Sequence, residues 1–194
     1  MQATRAQQKF SPISDEFNGR FATITDSPLV ARHRARMFQD MGYVPAELFD
    51  YFRAKSEARL REALACEEYI GWLASQRNSP ETIIAGAGVQ LRRILPHPIG
   101  EADGEITICD GRQGIILNVF TEPEWRRRGI ADLLMKTIIK WSREQCLEEL
   151  VLHASDEGRA LYERLGFVFT NEMRFSGNLG AVSAQNSALF QAPG

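Results

Sequence analysis

Arg126-Arg127-Arg128-Gly129-Ile130-Ala131 stands directly ahead of a helical pattern, and it is the part of the chain best equipped for chemistry. A helix N-terminus presents amide hydrogens without intrahelical partners and carries partial positive charge, so it suits phosphate oxygens. Gly129 lets the backbone approach an anion with no β-carbon in the way, and small Ala131 keeps the first turn open. Arginines at that end oppose the helix dipole, which a bound polyanion would offset. The alternative is a solvated charged face, the usual role of a charge run.

Tyr162 is a second candidate, a phenol of pKa about 10 that remains a proton donor at neutral pH. Its helical spacing with Gly158, Leu161 and Leu165 equally suits a half-buried core aromatic with its hydroxyl at the surface.

These residues need elements to hold them. Residues 21–25 alternate as a short strand, and Ser27-Pro28 opens a helix over 28–41 that Gly42 stops. Pro45 and Glu47 open a second helix, with Leu48, Phe49, Phe52, Leu60 and Leu64 along its apolar face. Strands over 69–74 and 82–95 form a hairpin, and 96–112 reads as a loop. A continuous apolar strand over 114–121, interrupted only by Asn118, ends at Glu122-Pro123-Glu124. Ile130, Leu133, Leu134, Ile138 and Trp141 then mark an amphipathic helix. A strand at 150–154, a helix stopped by Gly166 and a strand at 167–175 complete the pattern. Residues 1–18 read as a polar arm, 19–175 as one domain and 176–194 as a tail.

The stretch from Leu117 to Ala131 resembles the acetyl-CoA motif of the GNAT N-acetyltransferase superfamily, with Arg126, Gly129 and Ala131 at its three defining positions. Leu161-Tyr162-Glu163-Arg164-Leu165-Gly166-Phe167 resembles its second signature. The resemblance implies an α/β (α+β) fold with a mixed, splayed central sheet flanked by helices. It also implies an acyltransferase that moves acetyl from acetyl-CoA, as co-substrate, directly to an amine acceptor. Cysteine usage and the polar N-terminus themselves point to a cytoplasmic chain with no metal. Asn118, Val119 and Thr121 would then line the pantetheine arm. The amides of Arg126, Arg127, Arg128, Gly129, Ile130 and Ala131 would hold the pyrophosphate. Val119 N–H would polarise the thioester carbonyl, and Tyr162 would be the general acid at the coenzyme sulfur. Ser155 stands where many members carry asparagine, so it is either a coenzyme contact or, like Asp156, an N-cap.

An alkylammonium acceptor of pKa about 10.4 must lose a proton before attack. The strand over 114–118 offers no carboxylate. Glu122 and Glu124 read as solvated charges beside the coenzyme, Glu101, Asp103 and Glu105 as loop acids, and His153 as a structural residue at a strand end. No base is assigned. The missing carboxylate also admits a non-catalytic acyl-CoA sensor with the same fold.

The composition fits one globular domain: 194 residues, 44% hydrophobic and 25% charged. A net charge of −2 argues against a general attraction to nucleic acid or anionic membrane. Cys66, Cys109 and Cys146 are odd in number and lack zinc spacing, which fits a reducing cytosol. Residues 1–10 lack the apolar run of a secretory signal, and no later window is long enough to span a bilayer. No Gly-Lys-Ser/Thr follows Gly129, which argues against a nucleotide P-loop. The oligomeric state is left open, with a homodimer as the first expectation.

Overall fold

The computed structural model describes residues 11–100, 104–170 and 173, with side chains from residue 13 onward. The main sheet has the order β1-β2-β3-β4-β7-β8. Its strands are β1 (Ser11–Pro12), β2 (Phe17–Phe21), β3 (Tyr69–Gln76), β4 (Ser79–Arg93), β7 (Arg112–Thr121) and β8 (Glu149–Leu152). All neighbours are antiparallel except β7 and β8. Among the described residues four α-helices accompany them: α1 (Ser27–Asp40), α2 (Phe49–Ala65), α3 (Ile130–Glu144) and, after β8, α4 (Asp156–Arg164). The fold is a mixed central sheet flanked by helices, as the resemblance implies.

Strand alternation on β3 sorts the helices between two faces. Ile70, Trp72 and Ala74 join the cluster containing Ile130, Leu134, Ile138 and Trp141 of α3, whereas Tyr69 and Leu73 join the cluster containing Val30, Ala31, Leu60 and Ala63 of α1 and α2. Leu161, Tyr162 and Leu165 of α4 pack on the α3 side. Trp141 meets Trp72 edge to face at 5.1 Å, and removing such a buried indole costs about 3–5 kcal/mol.

Three local expectations are corrected. The first strand is Phe17–Phe21, not 21–25, and Ile24–Asp26 forms a 3-10 turn. The cause is polar: Asp26 accepts from Thr23 N at 2.8 Å and from Arg20 at 2.6 Å, which bends the chain out of the sheet. Phe17 is buried, and Arg77 N donates to Glu16 O at 2.9 Å, so the end of the expected arm joins the sheet. The expected loop over 96–112 contains a two-stranded ribbon, β5 (His97–Gly100) paired with β6 (Ile106–Cys109), where Pro98 is tolerated because each strand has a free edge. Residues 167–170 form no strand, and 171, 172, 174 and 175 of that expected element lie outside the described residues. The expected tail over 176–194, residues 1–10 of the arm, Glu101 and Asp103 also lie outside them.

Candidate active site

β7 positions the site because it has a partner on both sides for only half its length. It pairs with β8 from Gln113↔Glu149 to Ile116↔Leu152, while its pairing with β4 continues to Thr121. Beyond Ile116 no strand among the described residues pairs with the edge facing β8, which is open there. Glu122 N donates to Ile84 O at 2.9 Å, so strand alternation turns Phe120 toward β4 and the main-chain groups of Val119 and Thr121 toward the open edge. These are the backbone groups expected to meet the pantetheine arm. Thr121 O already accepts from Arg126 Nε at 3.1 Å, which leaves the Thr121 amide free to act there.

The open edge begins at a β-bulge. Gly88 pairs with Leu117 and Gly86 with Phe120, so β7 carries one residue more than β4 across this interval. Asn118 takes the left-handed conformation there, with φ +59°. Leu117 and Asn118 consequently both face α1, and Val119 is returned to the α3 side. The Asn118 side chain is buried and held at both polar atoms: Nδ2 donates to Tyr69 Oη at 3.0 Å and Oδ1 accepts from Arg34 at 2.7 Å. These bonds hold it on the α1 side rather than at the open edge.

The Arg126–Ala131 turn joins β7 to α3. Among the described residues no side chain caps α3, whose N-cap residue Gly129 has φ +78°, and the first amide in the helical ladder is Leu133 N, donating to Gly129 O at 3.1 Å. Among the described residues, the amides from Arg127 to Asp132 have no hydrogen-bond acceptor, whereas the Arg126 amide, expected to share in holding the pyrophosphate, donates to Pro123 O at 3.3 Å. A β-carbon on Gly129 would meet nothing within 4 Å. The helix end is thus open, and its free donors, positive end and clearance fit a diphosphate. The arginine side chains mostly turn back on the protein. Arg126 is ion-paired to Asp40 at the end of α1, and Arg128 lies 4.5 Å from the Trp125 ring centroid and donates to Glu124 O at 3.3 Å. Arg127 has φ +63° and is exposed.

Tyr162 is half-buried on α4, on the same face as α3, with its ring edge to face against Phe167 at 6.2 Å. A β-carbon on Gly158 would lie 2.8 Å from Tyr162 Cε2, so glycine one turn earlier makes room for the ring. Burial pushes the phenol above its ordinary pKa, which keeps it protonated at neutral pH. Ser155 is the N-cap of α4 and accepts from Gly158 N at 3.2 Å.

Glu122 departs from the solvated role expected of it. Its carboxylate is ion-paired to Arg32 and lies 3.5 Å from His33 Nε2. His33 is buried, and burial together with the Arg32 charge lowers its pKa to about 4. Glu124, Glu105 and His153 are exposed. Sequence reasoning missed Arg34, His33 and Tyr69. The available signals were the glycines inside β3 and β4 and the one amide in an apolar strand, which mark close approach and a polar contact.

An acetyltransferase (GNAT) domain profile matches residues 92–169. Comparison with curated proteins finds no match. Among solved structures, a GCN5-related N-acetyltransferase from Ralstonia eutropha is 30% identical, with 82% of this chain and 97% of that one covered at a TM-score of 0.71. A predicted acetyltransferase from Clostridium acetobutylicum, solved with acetyl-CoA, is 26% identical, covering 83% and 96% at a TM-score of 0.67. An aminoglycoside N-acetyltransferase in complex with CoA shares the fold at 18% identity and a TM-score of 0.56, with 86% and 97% covered. Similarity at 30% identity over nearly all of the Ralstonia protein, on a sheet that opens beside the Arg126 turn, shows that this chain belongs to the GCN5-related N-acetyltransferase (GNAT) family.

Proposed function

We propose that the chain moves the acetyl group of acetyl-CoA directly to the nitrogen of an amine acceptor, with no covalent intermediate on the protein. The carrying observation is that the uncapped α3 N-terminus and the open β7 edge are joined by one turn, with Tyr162 on the same face. The coenzyme supplies an activated acyl group as its thioester. The free amides from Arg127 to Ala131 hold the diphosphate, and the main-chain groups of Val119 and Thr121 align the arm along β7. Val119 N–H donates to the thioester carbonyl, where a fixed dipole lowers the barrier as negative charge builds on oxygen. Tyr162 protonates the departing thiolate, whose conjugate acid has a pKa of about 8.5. Glu122 is held by Arg32, so water carries the proton from the amine. Cys66, Cys109 and Cys146 are free thiols, which fits a cytoplasmic setting.

The test is Tyr162→Phe, with acetyl-CoA binding followed by calorimetry and turnover by thiol release. Turnover should fall about 100-fold with binding retained. Undiminished turnover would remove Tyr162 from the acid role. Acetyl-CoA binding with no thiol release across an amine panel would leave the non-catalytic acyl-CoA sensor.

A further inference from the structure

Arg34 is a half-buried cation beside the bulge for which the described residues supply no counter-ion. Its guanidinium lies 4.8 Å from the Phe38 ring centroid and 5.9 Å from that of Phe52. It donates to the neutral Asn118 Oδ1 at 2.7 Å, and no carboxylate among the described residues lies within ion-pair distance. Other partly buried arginines have a carboxylate, Arg20 with Asp26 and Arg32 with Glu122, whereas Arg34 is held by a neutral amide and two rings. Burial lowers the Arg34 pKa, yet a guanidinium keeps its charge in a protein. Removing part of its hydration without an anion is unfavourable, and holding Asn118 engages only one of its five N–H donors.

Its position says what the remaining donors face. The coenzyme reading assigns the α3 and α4 side to the donor, which leaves the α1 and α2 side for the acceptor. Arg34 projects from α1 on that side and touches the residue immediately before Val119. Of the three arginines on this helix, Arg32 is paired with Glu122, while Arg34 and Arg36 have no carboxylate partner among the described residues. A polycationic acceptor would be repelled here, whereas a carboxylate matches the planar guanidinium fork.

Resting on the acetyltransferase reading above, we infer that the acceptor is a small amine bearing an anionic oxyacid group, carboxylate or phosphate, which Arg34 binds while the amine faces the thioester. Since Arg34 adjoins the bulge, amine and anion are separated by only a few bonds, as in an amino acid.

The experiment measures kcat/KM by thiol release for free amino acids, β-alanine included, against their carboxamides, with phosphoethanolamine and spermidine as further arms. The wild-type chain should favour the anionic member of a pair by about 10- to 100-fold, the worth of a charge-assisted hydrogen bond. Phosphoethanolamine against β-alanine separates phosphate from carboxylate. Arg34→Met should collapse the acid-to-amide ratio toward unity, and Arg34→Lys should keep part of it. A purely structural loss at Asn118 would slow both series alike and leave the ratio unchanged. If Arg34→Met does not fold, the wild-type ratio and Arg34→Lys decide. Carboxamides turned over as well as acids, a ratio unaltered in Arg34→Met, or spermidine as the best acceptor would overturn the inference while leaving the transferase intact. Acetyl-CoA binding with no turnover of any amine would remove the transferase reading, and this inference with it.

Discussion

Tyr69 Oη accepts a hydrogen bond from Asn118 Nδ2 at 3.0 Å, although β4 lies between their two strands. With Arg34 on the other atom of the same amide, this contact fixes the left-handed residue that turns Val119 toward the open edge. Burial, set against the opposing pull of Asn118 and Arg34, pushes the Tyr69 pKa up to about 12, so the phenol is neutral at any working pH. Tyr69→Phe leaves Nδ2 buried and unsatisfied. It should lower kcat about tenfold while calorimetric CoA affinity changes little, because the diphosphate sits at α3. The carbonyl stretch of bound acetyl-CoA should move toward its solution frequency. Wild-type kcat with an unshifted carbonyl band would show that the contact does not position Val119.

Two facing glycines make that reach possible. Gly71 pairs with Gly88, and the Tyr69 ring lies across both: an added β-carbon would come within 3.2 Å of Tyr69 Cε1 at Gly71 and 2.1 Å of Tyr69 Oη at Gly88. Gly88→Ala should therefore destabilise the chain by about 1–3 kcal/mol in urea unfolding. In a Tyr69→Leu background the same change should cost less, with a coupling of about 1 kcal/mol. Strictly additive losses would mean the ring is not the obstacle.

Those glycines also show what sequence could and could not give. The Arg126 turn and its flanking elements were legible because amphipathic spacing, Pro123 and the Gly129 to Ala131 signature are local. The Arg34–Asn118–Tyr69 contact joins α1, β7 and β3, and no local pattern encodes which strands adjoin. Asn118 was visible as an exception in an apolar run, but its partners lie 84 and 49 residues away in sequence. Glu122 was misread for the same reason: next to Pro123 it looks solvated, and only the packing of α1 over the end of β7 brings Arg32 and His33 to it. The β5–β6 ribbon escaped notice because Pro98 and Gly100 read as loop residues, while cross-strand pairing gives them a register.

Gly129 separates backbone strain from ligand contact. Its φ of +78° disfavours any β-carbon, yet that carbon would meet nothing within 4 Å. Gly129→Ala should cost about 1 kcal/mol of stability without ligand. The acetyl-CoA Kd should rise at least about tenfold, because the new methyl group occupies the side open to the diphosphate. An unchanged Kd, measured by calorimetry on the folded variant, would move the diphosphate away from this helix end.

His33 gives the chain an acid-sensitive stability that the transfer reaction does not require. Burial, reinforced by the Arg32 charge, lowers its folded pKa to about 4, against 6.5 when exposed. Above pH 6.5 the ring is neutral in both states and the group adds no pH dependence. As pH falls from there toward 4, the unfolded chain takes up a proton that the folded chain refuses, so stability declines by up to about 3 kcal/mol. The nearby Glu122 carboxylate does little to reverse this, since Arg32 already neutralises it. Urea midpoints should therefore fall across this window in the wild type and fall less steeply in His33→Leu, a change that keeps an apolar contact with Phe120. Equal slopes in the two proteins would mean that His33 is protonated in the folded state, with Glu122 as its partner.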